Sequence, residues 1–136
     1  MRYLLDTNII SELTRPVPRP GVLAGLAAHD GDLATTAITA GELRFGVELL
    51  PPGKRRETLE AHLEAVLTRL TVLPYDRSAA LWHGTERARL RQTGRERPFA
   101  DGQIAAIAVT RGLVLVTRNL ADFEYFAGLV VEDWGA

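Results

Sequence analysis

Five short stretches of this chain read as strands that lack the polar alternation of a half-exposed sheet: Tyr3–Leu5, residues around 33–38, 72–73, 113–116 and 129–131. A strand without that alternation is covered on both faces, which points to a mostly parallel sheet with helices above and below it. Helical patterns separate the stretches. Between Pro52 and Pro74, Leu59, Leu63, Val66, Leu67 and Leu70 recur at helical spacing, with Glu57, Glu60, Glu64 and Arg69 on the other side. Residues 101–111, "DGQIAAIAVTR", place Ile104, Ala105, Ile107 and Ala108 on one stripe of mostly small residues and stop at Gly112. Prolines 16, 18 and 20 mark a stiff turn after the first helix, and Pro51-Pro52-Gly53 marks another before the long one. Strands alternating with helices over 136 residues predict one domain, 1–136, with a three-layer α/β/α architecture, about five strands and right-handed crossovers.

Bulk properties narrow the chemistry more than they name it. No stretch reaches the roughly 18–20 apolar residues of a membrane helix, and Asp6 interrupts the only apolar run near the start, so the expectation is a cytoplasmic protein with no membrane partner. The chain has no cysteine, which removes disulfides and thiolate metal sites. His29, His62 and His83 show neither ligand spacing nor pairing with a nucleophile and read as incidental. A formal net charge of −1 gives no global attraction to nucleic acid.

In this architecture strand C-termini and helix N-termini share one sheet edge, and ligands bind along it. Asp6 ends the first strand, Glu42 follows the second, Asp101 opens the helix before the fourth, and Asn119 and Asp122 follow that strand. Adjacency of strands one and four would bring them together. Taken singly, each acid has a simpler role: Asp6, Asp101 and Asp122 sit where helix caps belong, and Thr39-Ala40-Gly41-Glu42 fits a capping box. Taken together, several carboxylates on one edge repel one another unless a cation lies among them. Oxygen ligands without His or Cys favour Mg²⁺, with Mn²⁺ as a substitute, and such a site suits phosphodiester hydrolysis.

The ordered blocks "LLDTNIISEL" (4–13), "AITAGELRFGV" (37–47), "FADGQIAAIA" (99–108) and "LVTRNLADF" (115–123) resemble the PIN-domain ribonucleases, specifically the VapC and FitB toxins of type II toxin–antitoxin systems. The resemblance implies a cytoplasmic Mg²⁺-dependent endoribonuclease, a homodimer or a hetero-oligomer with its cognate antitoxin, acting on RNA. It implies that Asp6, Asp101 and Glu42 hold the metal. Some relatives carry an acid where this chain has Asn119, and others at the position of Asp122, so either residue can complete the catalytic set. Asn8 and Thr117 lie on the same edge as expected supporting donors.

Of sixteen basic residues, fifteen are arginine. Arg87, Arg89, Arg91, Arg95 and Arg97 precede the Asp101 block and could track a phosphate backbone, or could form a solvated face paired with Glu86 and Glu96. Arg118 lies nearer the acids, with either an acid or RNA as its partner. Phe99 and Trp82 are expected in the core. The segment 43–52 carries more apolar residues than one helix face can bury, which suggests a partner, either the antitoxin or a second protomer. A response-regulator receiver is excluded because its paired acids and lysine are missing, and a haloacid-dehalogenase phosphatase because Asn8 stands where its second Asp belongs. A catalytically silent PIN-like domain that binds RNA or protein is the alternative.

Overall fold

A computed structural model describes residues 1–135. Five parallel strands, β1 (Tyr3–Leu5), β2 (Leu33–Thr36), β3 (Thr71–Leu73), β4 (Val114–Val116) and β5 (Val131–Glu132), form one sheet in the order β3-β2-β1-β4-β5. The six helices are α1 (Thr7–Glu12), α2 (Pro20–Ala28), α3 (Ala37–Glu48), α4 (Lys54–Thr68), α5 (Arg77–Gln92) and α6 (Phe99–Thr110), with a 3-10 turn at Leu120–Phe123. The chain grows outward from β1 through β2 to β3, then crosses back to lay β4 on the other side of β1. Leu4 pairs with Ala34 on one side and Leu115 on the other. This reversal leaves a crevice beyond the ends of β1 and β4, the place where parallel sheets bind ligands.

Alternation along these strands divides the core between two layers. Leu4, Ala34 and Leu115 pack with Ile104 and Ile107 of α6 and Leu90 of α5. Tyr3, Leu5 and Val116 face the other way, against Ile9 and Ile10 of α1 and Val22 of α2. The small residues Ala105, Ala106 and Ala108 let α6 lie close to the sheet, and all are fully enclosed. Burying each isoleucine of α6 contributes roughly 1.5–3 kcal/mol. The helix stops cleanly: Gly112, at φ 66°, turns the chain so that its N–H and that of Leu113 reach the carbonyls of Val109 and Ala108.

Several local expectations shift. The second strand ends at Thr36 rather than 38, because the Thr36 hydroxyl accepts from Thr39 N at 3.0 Å and starts α3 there. That places Thr39 inside the helix, so the capping box over residues 39–42 does not form and Glu42 is free to point elsewhere. The last strand begins at Val131, two residues later than its apolar run suggests. Apolar periodicity gives no sign of α2, whose proline at its first position presets the helical φ. Among the described residues, no helix is long and apolar enough to cross a membrane.

Candidate metal centre

Asp6 stands at the end of β1, where it both caps α1 and faces the crevice. One carboxylate oxygen accepts from Thr7 N at 2.7 Å and the other from the Thr117 hydroxyl at 2.8 Å. Thr117, wholly buried just past β4, also accepts from Asn8 Nδ2 at 3.2 Å and Asn119 N at 3.0 Å. Asn8 closes the circuit by accepting from Arg118 N at 3.2 Å. Asn8 and Thr117 therefore fix the rotamer of Asp6 and the course of the 117–119 loop. On the other wall, the Thr7 hydroxyl lies 3.2 Å from that of Thr39 and 3.4 Å from Glu42 Oε1.

Asp101 enters from α6. This helix has no side-chain cap, since its N-cap is Pro98, and Asp101 sits in its first turn rather than at its cap. The turn is tightly held: a Cβ on buried Gly102 would fall 2.2 Å from Nε2 of His83, which is itself buried and lies 3.1 Å from the Tyr75 hydroxyl through Nδ1. His83 is thus a packing element beneath the site, a role that its isolated place in the sequence does not reveal.

The electrostatics show that the acids share one space. Burial first, then the charges of Asp6, Asp122 and Glu42, push Asp101 from an ordinary value of 3.8 up to about 7. Asp6 is also raised, mainly by burial and slightly by Asp122, although its bonds to Thr117 and Thr7 oppose this. Glu42 is raised by burial and by Asp6, against the Thr7 hydroxyl. Asp122, in the 3-10 turn after Asn119, is felt by both aspartates. Among the described residues none of these four acids has an ion-pair partner; the arginines of the cleft turn to Glu12 instead. Nor do three His, Cys, Asp or Glu side chains already form a closed metal cage among them. The donor set still suits a hard divalent cation, because Asp6, Glu42 and Asp101 border one cleft of about 490 Å³ with their mutual repulsion uncompensated. A cation drawn to that field would relieve it.

The PIN domain family model matches residues 3–129. The chain belongs to the PIN-domain family. Within it, the chain is 41% identical to the VapC ribonuclease Y4jK of Sinorhizobium fredii, over 96% of each chain. It is 40% identical to Toxin FitB of Neisseria gonorrhoeae, over 96% of this chain and 97% of that one. Among solved structures, it superposes on FitAB bound to an IR36 DNA fragment with a TM-score of 0.89, 35% identity and coverage of 98% and 96%. The DNA-bound VapBC of Salmonella typhimurium gives a TM-score of 0.86 at 34% identity, with 98% of each chain covered. This PIN domain is therefore of the VapC/FitB type.

The remaining candidates are placed less centrally. Of the basic residues singled out in the sequence, only Arg118 lines the cleft. Arg87 and Arg91 share Glu96 at 3.1 and 2.7 Å, and these guanidiniums, Arg91 first, hold its carboxyl down at about 2. Arg89 is paired with Glu86 and donates to the Tyr125 carbonyl at 2.7 Å. Arg97 donates to the Ala121 carbonyl at 3.1 Å, and Arg95 and Arg97 stand over the Tyr125 ring. Much of that basic run is spent on its own neighbours. Phe99 is exposed rather than in the core, with Arg87 over its ring at 4.9 Å, while Trp82 packs at the core margin. Phe45 of α3 and Leu49, the residue just after it, are exposed, at 65% and 68%, in keeping with a segment too apolar for one helix face.

Proposed function

We propose that this PIN domain is a Mg²⁺-dependent endoribonuclease and the toxin of a toxin–antitoxin pair, with Mn²⁺ as a substitute cofactor. The observation that carries this reading is the cluster of Asp6, Glu42 and Asp101: three acids from distant parts of the sequence, one raised to about 7, without a cationic partner among the described residues. The names of the relatives, ribonuclease and toxin, agree with it. Asp6, Asp101 and Glu42 would hold the ion; Asn119 lines the same cleft, and Asp122 acts on Asp6 and Asp101 through its charge without lining it. A bound divalent cation supplies charge neutralisation at the phosphate and activation of water for in-line displacement.

The chain's own residues account for the rest. Thr117 and Thr7 N pin both oxygens of Asp6 so that its carboxylate does not swing away from the crevice. The buried Gly102 and His83 contact fixes the turn that presents Asp101. Thr7 steadies Glu42. The 136-residue chain functions as one domain in the cytoplasm, and its antitoxin or a second protomer covers exposed apolar residues of α3. The likeness to VapBC-5 of Mycobacterium tuberculosis, a member of the VapBC family of toxin–antitoxin systems, supports the antitoxin partner.

The test is cleavage of RNA by purified protein with Mg²⁺, with EDTA, and after Asp6→Asn or Asp101→Asn. Cleavage that needs the metal and both aspartates is expected. Metal-dependent cleavage that survives both substitutions would refute the site, and a wild type that binds RNA or antitoxin but cuts nothing would favour the silent binding domain.

A further inference from the structure

The cleft that Asp6, Glu42 and Asp101 border carries a second charged device, built on Glu12 in the last turn of α1. Its side chain is 2% exposed, yet three arginines surround it. Arg15 Nη1 donates to both oxygens at 3.2 and 3.3 Å, Arg19 N donates at 2.8 Å with its Nε at 3.7 Å, and Arg118 Nη1 lies at 3.5 Å. Burial pushes the Glu12 carboxyl upward, but the Arg19 amide and the Arg15 and Arg118 guanidiniums overcome it and keep the group ionised. One carboxylate thus aligns three cations, leaving an excess of two positive charges.

Arg19 has a further structural task, donating through Nη1 to the Gly135 carbonyl at 3.2 Å. Arg15 and Arg118 have none. Both line the cleft with Asp6, Glu42 and Asp101. Among the described residues, each uses only Nη1 on Glu12, so their Nε and Nη2 donors remain unspent. They keep 52% and 29% side-chain exposure. The same cleft therefore carries both uncompensated carboxylates and anchored, underused guanidiniums. A cation held by the acids would draw one phosphate; a guanidinium pair in the same cleft suits another phosphate of the same strand, because the planar fork matches phosphate oxygens.

We propose that Arg15 and Arg118, oriented by Glu12, form a phosphate-binding subsite that grips the RNA backbone beside the scissile linkage. Arg15 and Arg118 touch substrate, and Glu12 is a positioning residue. This deepens the ribonuclease reading and rests on it for the identity of the strand. Because phosphate contacts carry no base information, the subsite fixes register and not sequence preference.

The experiment measures binding of a short labelled single-stranded RNA across a salt series, in EDTA and in the Asp101→Asn background, so that cleavage is absent. Arg15→Gln and Arg118→Gln are each expected to weaken binding by roughly threefold to tenfold. Each should also flatten the slope of log affinity against log salt by about 0.7, the change expected when one phosphate of a single strand is no longer neutralised. Arg118→Lys should retain the slope, since the charge remains. With Asp101 restored and Mg²⁺ present, both Gln variants should raise KM with little change in kcat. Glu12→Gln, which keeps both guanidiniums but removes their anchor, should weaken binding while retaining the salt slope, and circular dichroism separates that effect from misfolding. Unchanged salt slopes in both arginine variants overturn the subsite even if the protein cleaves RNA. So does a loss confined to antitoxin affinity, which would assign the arginines to a protein partner. If wild type shows the expected slopes yet never cleaves, the subsite stands and the ribonuclease reading falls.

Discussion

Replacing Asp101 by Asn should stabilise the metal-free protein in alkali and leave it nearly unchanged in acid. The folded protein holds this carboxyl at about 7 against an ordinary value of 3.8. A folded value above the unfolded one means that the contribution to stability is complete below about pH 4, declines as pH rises, and is gone once the group ionises above pH 7. The full interval corresponds to roughly 4 kcal/mol at 1.36 kcal/mol per pH unit. Asp101 is only half-buried, so water screens much of this, and the first turn of α6 favours the charged form by roughly 0.3–1 kcal/mol. About 1–2 kcal/mol should remain. Asn approximates the protonated acid in shape and removes the charge.

Urea unfolding in EDTA at about pH 4.5 and pH 8 tests this. The variant should exceed wild type by about 1–2 kcal/mol at pH 8 and by less than about 0.5 kcal/mol at pH 4.5. Saturating Mg²⁺ at pH 8 should reverse the ranking, since ligand at 100 times its Kd adds about 2.7 kcal/mol to the form that binds it. A difference that is equal at both pH values, or an Asn variant less stable at pH 8, would falsify the claim that Asp101 is held against the cost of its burial and the repulsion of its neighbours.

Three further outcomes follow from the packing around the site. Thr117→Val keeps the shape but leaves Asp6, Asn8 and Asn119 N without their shared hydroxyl, and kcat should fall by about 10- to 100-fold with the circular dichroism spectrum intact. Gly102→Ala forces a methyl against the His83 ring and should cost roughly 1–3 kcal/mol in urea unfolding; no loss would mean that the packing under Asp101 is slack. Leu115→Ala, in the strand beside β1, should cost about 2–5 kcal/mol, since its side chain is wholly enclosed between sheet and α6.

The sheet and the acids are legible in the sequence for the same reason. Apolar runs such as Tyr3–Leu5 state that a strand is covered on both faces, and an acid directly after such a run has only one edge to occupy. Asp6 follows from that logic, and Glu42 and Asp101 from the rule that helices after and before the strands begin on that same edge. Glu12 does not, because its place on the cleft depends on Arg118, 106 residues away, as well as on Arg15 and Arg19 nearby. Nothing in the local spacing distinguishes a carboxylate clasped by three arginines from one in solvent. His83 escapes for a related reason: its meaning lies in Gly102 of the next helix. The basic run from 87 to 97 misleads in the opposite sense, looking like a surface for RNA while much of it is bound to Glu86, Glu96 and backbone carbonyls. Local composition overstates it because sequence does not show which charges are already answered.

The bond between Thr117 and Asp6 joins residues 111 positions apart, and β1 has no neighbour on that side until β4 is in place. Closing so long a loop is entropically expensive and comes late in folding. During synthesis, a chain that has not yet produced β4 holds Asp6 with no Thr117 to orient it and no partner strand beside it. The assembled cleft then arrives as a step near the end of folding rather than growing with chain length. A nascent or truncated polypeptide ending before residue 113 lacks the partner that orients Asp6, so on the proposed ribonuclease function it should be inert until synthesis is nearly complete.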